Sequence, residues 1–592
     1  MTTRTLLLAL LAASASLAGC LADDPAAQED TGSDDLAVAP VPVPPGTYDF
    51  SGPYSRVLQP GPLGILPAEH VEVPSPIGGD IELGLHLPDT EEPVPVLAFA
   101  SPYFFAEGSP GGARTVLDRG GSFGSLVENF VPHGYAVAAV AVRGTAGSSG
   151  CNDLMGPQET IDLDAAVTWL GEQPWSSGAV AMTGVSYDGS TPWGVASVGN
   201  PYLKTIVPIS GVPDMYGLMY RNGSSESRGP VLLNALYVEG SIGSAPAGEE
   251  MLTRAACPDA LAGVGLSGVA GVTGEDPTGY WQERNRKPGV EANYQGSVFS
   301  VQGLQDWNVD PSQVVPWVDE LERQGIRTKQ LLGQWGHAWP DYVDEDMTEP
   351  DYRADWKESL LRWLDQELKG KTVDTGPAVQ VRDDLGRWRN EEHYPPHDTT
   401  WTDLHLTADG KLRPQAGATG SHLLVPNTPL FGPIVDPADY VDTPVEHYVD
   451  FTSLPMPKDT LVVGLPKVHV TVTPHAPGGY IAAYLYERTD EGDRRIGWTS
   501  MDLAFADGGR ERKEVVPGEP IQALMEIQPM DSVVRAGNEL VLRVWVFTDG
   551  DRIPTIPPGT MTLEVGPAVE SVLRLPTVER GPEAYFEPPL PA

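Results

Sequence analysis

Three residues far apart in the chain are of the types that together can cleave an acyl bond: a serine in GVSYDG (184–189), an aspartate in LQDWNVDP (304–311) and a histidine in QWGHAWPDY (334–342). A serine hydroxyl is a weak nucleophile until a base within hydrogen-bond reach takes its proton. The base in turn needs an acceptor that fixes its tautomer. Ser186 follows the apolar run AVAMT, as a nucleophile does on a sharp strand-to-helix turn. The usual small residue two positions later is replaced by Asp188, and Gly189 comes one position late. In a chain with 65 glycines this turn alone carries little weight. Asp188 itself needs no catalytic account, because a carboxylate near a helix N-terminus is favoured by the helix dipole.

Order along the chain supplies the weight. SVFSVQG (297–303) runs into Asp306, and KQLLGQW (329–335) runs into His337. In a sheet of parallel strands each would sit on a loop at the carboxyl end of its strand, in the order Ser, Asp, His. Of 11 histidines, His70, His86 and His133 come too early. His393, His397, His405, His422, His447, His469 and His475 fall in or near a later β-rich region. The expected roles are therefore Ser186 as nucleophile, His337 as general base and Asp306 as its orienting partner.

The elements that must position these groups are visible as periodicity. From about Val71 to Gly370, short apolar runs alternate with helical patterns, as in a mostly parallel α/β sheet. Expected strands are 95–100, 135–142, 179–183, 205–210, 297–303 and 329–335, whose unbroken apolarity implies burial on both faces. Expected helix faces are Ile161, Ala165, Trp169 and Leu170; then Val314, Trp317, Val318 and Leu321; then Trp356, Leu360, Trp363 and Leu364. Asp310 and Pro311 open the second helix, Gly325 follows it, and Gly370 ends the third. Residues from about 212 to 296 break the rhythm, as expected of a helical insertion capping the strand ends. After about 376 the pattern becomes short alternating strands, an all-β sandwich.

Composition narrows the partners. Lys+Arg 38 against Asp+Glu 81 gives a formal net charge of -43, with no basic run, so nucleic acid is excluded as an expected partner. The acids are spread along the chain and read as a solvated surface. MTTRTLLLALLAASASLAGC has one early cation, a short apolar stretch and small residues before Cys20, which is the pattern of an export signal ending in a lipobox. Residues 21–65 are acidic, then Pro-rich, and suit a tether. With Cys20 as the lipidation site, Cys151 and Cys257 remain as an even pair for a disulfide in an oxidising compartment. The expected location is extracytoplasmic, lipid-anchored or secreted. No cofactor is expected, and DEDMTEPD (344–351) lacks the glycine and spacing of a calcium loop.

With these residues in place, the chain resembles the S15 peptidase family, which holds the Xaa-Pro dipeptidyl-peptidases and the cocaine-esterase-like CocE/NonD hydrolases. The resemblance rests on GVSYDG, GLQDWNV and QWGHAW, with AVRGTAGSSGC (141–151) and EQPWSSGAVAMTG (172–184), and covers about residue 66 to the end. It implies an α/β hydrolase with a helical cap insertion, at 66–375, and a C-terminal jelly-roll sandwich, at 376–592, behind a leader at 1–20. It implies an oxyanion hole from the Tyr103 hydroxyl and the backbone N–H of Tyr187, and a substrate contact at Asn308. The family's amine-binding segment is matched at Tyr216, Asn222 and Gly223, while Leu218 and Met219 stand where aromatic hydroxyls are expected. Glu226 is the candidate anchor for a substrate ammonium. The implied activity is release of Xaa-Pro dipeptides. The alternatives are an esterase or amide acylase acting on small acyl substrates, and an inactive surface-binding protein.

Overall fold

A computed structural model of the chain describes residues 58–586, except 111, 113, 120, 224, 227–229, 274, 277, 307, 342–352, 354, 427–447, 509, 547–551 and 554–558. The leader, Cys20, tether residues 21–57 and the acidic stretch 344–351 lie outside the described residues.

The chain opens with an antiparallel pair, β1 (Glu69–Pro74) and β2 (Asp80–His86). The α/β core follows as β3 (Val94–Ser101), α1 (Gly121–Phe130), β4 (Ala136–Ala141), α2 (Pro157–Glu172), β5 (Ser176–Val185), α3 (Tyr187–Val198) and β6 (Leu203–Ile209). The insertion comes next: α4 (Met215–Met219), β7 (Ser225–Glu226), α5 (Pro230–Ser244), α6 (Glu249–Ala255), α7 (Pro258–Thr273) and α8 (Lys287–Asn293). The core then resumes with β8 (Ser297–Gly303), α9 (Val315–Arg323), β9 (Thr328–Gly333) and α10 (Trp356–Lys369). The six expected strands are all present, within three residues at each end.

The sheet order is β1-β2-β4-β3-β5-β6-β8-β9, with parallel pairing from β4 through β9. Successive side chains of a strand point to opposite faces, and here both faces are apolar. In β3, Val96 and Ala98 pack with Leu163, Val167 and Trp193 on one side, and Leu97 and Phe99 pack with Phe123, Trp356 and Trp363 on the other. That double burial is why these strands read as unbroken apolar runs.

One helix face and one domain boundary differ from the sequence expectation. Helix α2 buries Leu163, Ala166, Val167 and Leu170, whereas Ile161 is exposed and Ala165 and Trp169 are half-buried. Its inner face also carries the buried acids Glu159 and Asp162, so a count of apolar residues selects a face turned from the true one. The sheet also runs past residue 375: β10 (Val379–Arg382) adds in parallel to β9, β11 (Trp388–Glu391) pairs antiparallel with β10, and Tyr585–Phe586 pairs with β11. The C-terminal region thus supplies the far edge of the hydrolase sheet as well as its own sandwich. That sandwich is antiparallel, with Val468, Val470 and Val472 from one sheet meeting Ile481, Leu485 and Leu542 from the other in one core.

Candidate active site

The carboxyl ends of β5, β8 and β9 carry Ser186, Asp306 and His337 to one edge of the sheet, with β6 lying between β5 and β8. Ser186 has φ 66° and ψ −122° and is the residue immediately before helix α3. Non-glycine residues held this way cost about 1–3 kcal/mol and persist where the surroundings over-determine them. Here they do. A Cβ at Gly184 would lie 2.5 Å from the Asp188 Cβ, and one at Gly189 would lie 2.4 Å from the Ile209 carbonyl oxygen. The late glycine is thus the point where α3 passes over β6. The Ser186 N–H donates to Ile209 O at 3.0 Å. Ser190 Oγ donates to Ser186 O at 2.7 Å and accepts from the Val212 N–H at 2.8 Å. Ser190 therefore bridges the serine turn to the end of β6.

Asp306 is fully buried. Its Oδ1 accepts from the backbone N–H groups of Asn308 and Val309 at 2.9 and 2.8 Å. Its Oδ2 lies 2.9 Å from His337 Nδ1 and accepts from Gln302 Nε2 at 3.3 Å. With Nδ1 directed at the carboxylate, the neutral imidazole carries its lone pair on Nε2. His337 Nε2 is buried and has no hydrogen-bond partner among the described residues. Gly303 permits the close packing of these loops, since a Cβ there would lie 2.2 Å from the Trp335 carbonyl oxygen. Gln305 and Gln334 join the two loops by a side-chain hydrogen bond of 2.9 Å.

Tyr103 is 41% exposed beyond the end of β3, and its hydroxyl lies 2.9 Å from that of Tyr237 on cap helix α5. The Tyr237 ring also packs on Tyr187, with centroids 4.9 Å apart. The Tyr187 side chain is engaged within the fold. Its ring is buried, its hydroxyl donates to Glu159 Oε2 at 2.5 Å, and it accepts from the Met155 N–H at 2.9 Å. Burial pushes the Glu159 carboxyl up to about 7.

Of the expected substrate contacts, Asn308 is half-buried beside Asp306, and its N–H is one of the two that hold that carboxylate. Tyr216 departs from expectation. It is buried, its hydroxyl donates to Arg510 O at 3.4 Å, and the Arg510 guanidinium lies 4.6 Å from its ring centroid. It belongs to the seam between cap and sandwich. Asn222 and Gly223 lie on the same seam: Asn222 Nδ2 donates to Ser500 O at 2.9 Å, and a Cβ at Gly223 would meet Phe505 at 2.0 Å. Glu226 lies on β7, paired with Arg552 of the short strand Arg552–Ile553. Cys151 and Cys257 are joined as a disulfide, with Cα atoms 5.9 Å apart, fastening the start of α7 to the loop after β4. Tyr237, Ser190 and Gln302 escaped the sequence reading. Ser190, one helical turn after Ser186, carries the only local signal among them.

A strained serine on the turn between a parallel strand and a helix, with a hydrogen-bonded Asp–His pair on later loops at the same sheet edge, defines a serine hydrolase of the α/β-hydrolase class. Residues 78–339 match the family described as X-Pro dipeptidyl-peptidase (S15 family), and residues 371–566 match the X-Pro dipeptidyl-peptidase C-terminal non-catalytic domain. The chain belongs to the S15 peptidase family.

Among its relatives, a Streptomyces avermitilis protein provisionally named an Xaa-Pro dipeptidyl-peptidase is 27% identical over 544 residues, covering 80% of this chain and 76% of its own. The Xaa-Pro dipeptidyl-peptidase of Lacticaseibacillus rhamnosus is 23% identical, covering 76% of this chain and 62% of its own. The fold is shared with an α-amino acid ester hydrolase (TM-score 0.69, 16% identity, 88% of this chain and 98% of that one). It is also shared with a CocE/NonD family hydrolase from Staphylococcus aureus (TM-score 0.67, 16% identity, 87% and 94%).

Proposed function

We propose that the protein is an exopeptidase that releases Xaa-Pro dipeptides from free amino termini through an acyl-enzyme. The observation that carries this reading is the Asp306–His337 hydrogen bond of 2.9 Å placed at the sheet edge that holds the strained Ser186 turn. In the proposed reaction His337 Nε2 takes the Ser186 hydroxyl proton as Oγ bonds to the proline carbonyl carbon. The oxyanion receives hydrogen bonds from the Tyr187 N–H and the Tyr103 hydroxyl. His337 returns the proton to the departing amine as the C–N bond breaks. Water then repeats the sequence on the ester, freeing the dipeptide and restoring Ser186.

The substrate assignment is supported by both family matches and by the relatives' names. A second reading, an esterase or amide acylase, is favoured by one observation. Leu218 and Met219 are buried and apolar, and Tyr216 faces the sandwich, so this segment offers little to hold a substrate ammonium. Purified protein lacking residues 1–20 should hydrolyse an Ala-Pro or Gly-Pro chromogenic amide, and Ser186→Ala should lower turnover at least about 1,000-fold. Brisk cleavage of simple esters with no turnover of these amides selects the second reading. Near-normal turnover by Ser186→Ala rejects both.

Export with lipidation at Cys20 is part of the proposal. It is supported by the LAGC motif and by the Cys151–Cys257 disulfide, a bond that persists in oxidising compartments. Among the described residues no helix is long and apolar enough to cross a membrane. Retention of Cys20→Ala in the membrane fraction, equal to wild type, would reject the anchor.

A further inference from the structure

Away from the serine site, helix α9 and the segment that follows β11 bring together side chains for which the proposed hydrolysis has no use. Asp319 and Glu322 stand three residues apart on α9, and therefore on one face of it. His393 and His397 lie just beyond β11, where the chain leaves the hydrolase sheet. Their rings are stacked, with centroids 3.7 Å apart and planes 12° from parallel. One donor atom from each of Asp319, His393 and His397 lies within 4.8 Å of the others.

We propose that Asp319, His393 and His397 bind a single transition-metal dication of the Zn²⁺ type, with Glu322 orienting His393 from behind. Two imidazoles and a carboxylate form a nitrogen–oxygen set that suits Zn²⁺, whereas Mg²⁺ and Ca²⁺ prefer oxygen alone. Around Zn²⁺, with bonds of about 2.0–2.1 Å, tetrahedral donors stand roughly 3.4 Å apart. The observed spread, within 4.8 Å, is wider, and since imidazole lone pairs lie in the ring planes, binding requires the exposed His397 to turn out of its stack on His393 until both point at the ion.

The supporting groups agree with this assignment. Glu322 Oε2 lies 3.1 Å from His393 Nδ1, the carboxylate–histidine contact that in metal sites fixes the tautomer and leaves Nε2 for the ion. Asp319 holds Arg323 through Oδ2 at 3.2 Å, while its Oδ1 is buried and accepts no hydrogen bond among the described residues. Arg323 opposes a bound cation, but it is shared with Glu320. Two carboxylates and two neutral imidazoles still leave the cluster negative. The metal's role would be structural. It would tie α9, which begins shortly after the Asp306 loop, to the segment that leads into the sandwich.

The inference is independent of which substrate the serine site takes. The full chain, stripped with EDTA, is titrated with Zn²⁺ by calorimetry and melted with and without the ion, with Mg²⁺ as comparator. One equivalent of Zn²⁺ should bind at micromolar affinity or tighter and raise the melting temperature, and Mg²⁺ should do neither. Co²⁺ in its place should show the intense visible bands of a tetrahedral nitrogen–oxygen site. His397→Ala, a change at an exposed side chain, should weaken Zn²⁺ binding at least about 100-fold with unchanged circular dichroism. Glu322→Gln should weaken it roughly 10- to 100-fold. Absence of Zn²⁺ binding, or equal affinity in wild type and His397→Ala, overturns the site.

Discussion

At the scale of single residues, the tyrosine pair decides how the proposed oxyanion hole can work. If Tyr103 is to donate to a developing negative charge, the hydrogen bond between its oxygen and Tyr237 must be donated by Tyr237. The pair then acts as a relay that strengthens the outer donor. Loss of one such donor typically costs about 100- to 1,000-fold in rate. Tyr103→Phe should therefore lower kcat by about that factor with little change in KM, and Tyr237→Phe should lower kcat by less; equal kcat for Tyr103→Phe and wild type would remove Tyr103 from the reaction. The placement of Ser186, Asp306 and His337 at one sheet edge was legible in the sequence because each follows an apolar strand of the same sheet. Tyr237 was not, because its partner is 134 residues away. Gln302 sits inside a strand that reads simply as apolar. Tyr216 misled in the opposite direction: its motif match is real, but its hydroxyl faces Arg510, a contact set by how cap and sandwich meet.

At the scale of elements, helix α2 has a second function beyond covering the sheet. Its Glu159 anchors the Tyr187 hydroxyl, which pins the first residue of α3 behind the serine turn. Burial raises this carboxyl from 4.5 to about 7 in the folded protein. Between those values the folded chain holds a proton that the unfolded chain has released, so this group's contribution lowers stability as pH rises through the window. The shift corresponds to about 3 kcal/mol. Glu159→Gln should flatten that part of the pH–stability profile, gaining on wild type from pH 5 to pH 7 in denaturant melts. A constant difference across the window would mean the carboxyl is not so displaced. The same buried acid explains why the face of α2 was misread. Apolar spacing points to Ile161 because the true inner face includes Glu159 and Asp162.

At the scale of the whole molecule, the C-terminal lobe braces the catalytic loops. Arg389 on β11 is fully buried, pairing through both guanidinium ends with Asp531 of the sandwich and through Nε with Glu391 at 2.7 Å. From the same stretch, the Asp531 carbonyl accepts from Gln334 Nε2 at 3.2 Å, three residues before His337, and Gln334 reaches Gln305 beside Asp306. Removing one partner of a buried pair strands the other charge and costs about 3–5 kcal/mol. Arg389→Ala should lose that much stability in chemical denaturation and reduce turnover with it; a loss below 1 kcal/mol would mean the lobes are held elsewhere. The sequence divides at about 376 by composition, and that division hides the sharing of one sheet between the two regions. Because Tyr585 and Phe586 form the far rung of a sheet whose near edge is β1, that sheet closes only when segments from opposite ends of the described chain have met, a pairing of very high sequence separation that slows the completion of folding.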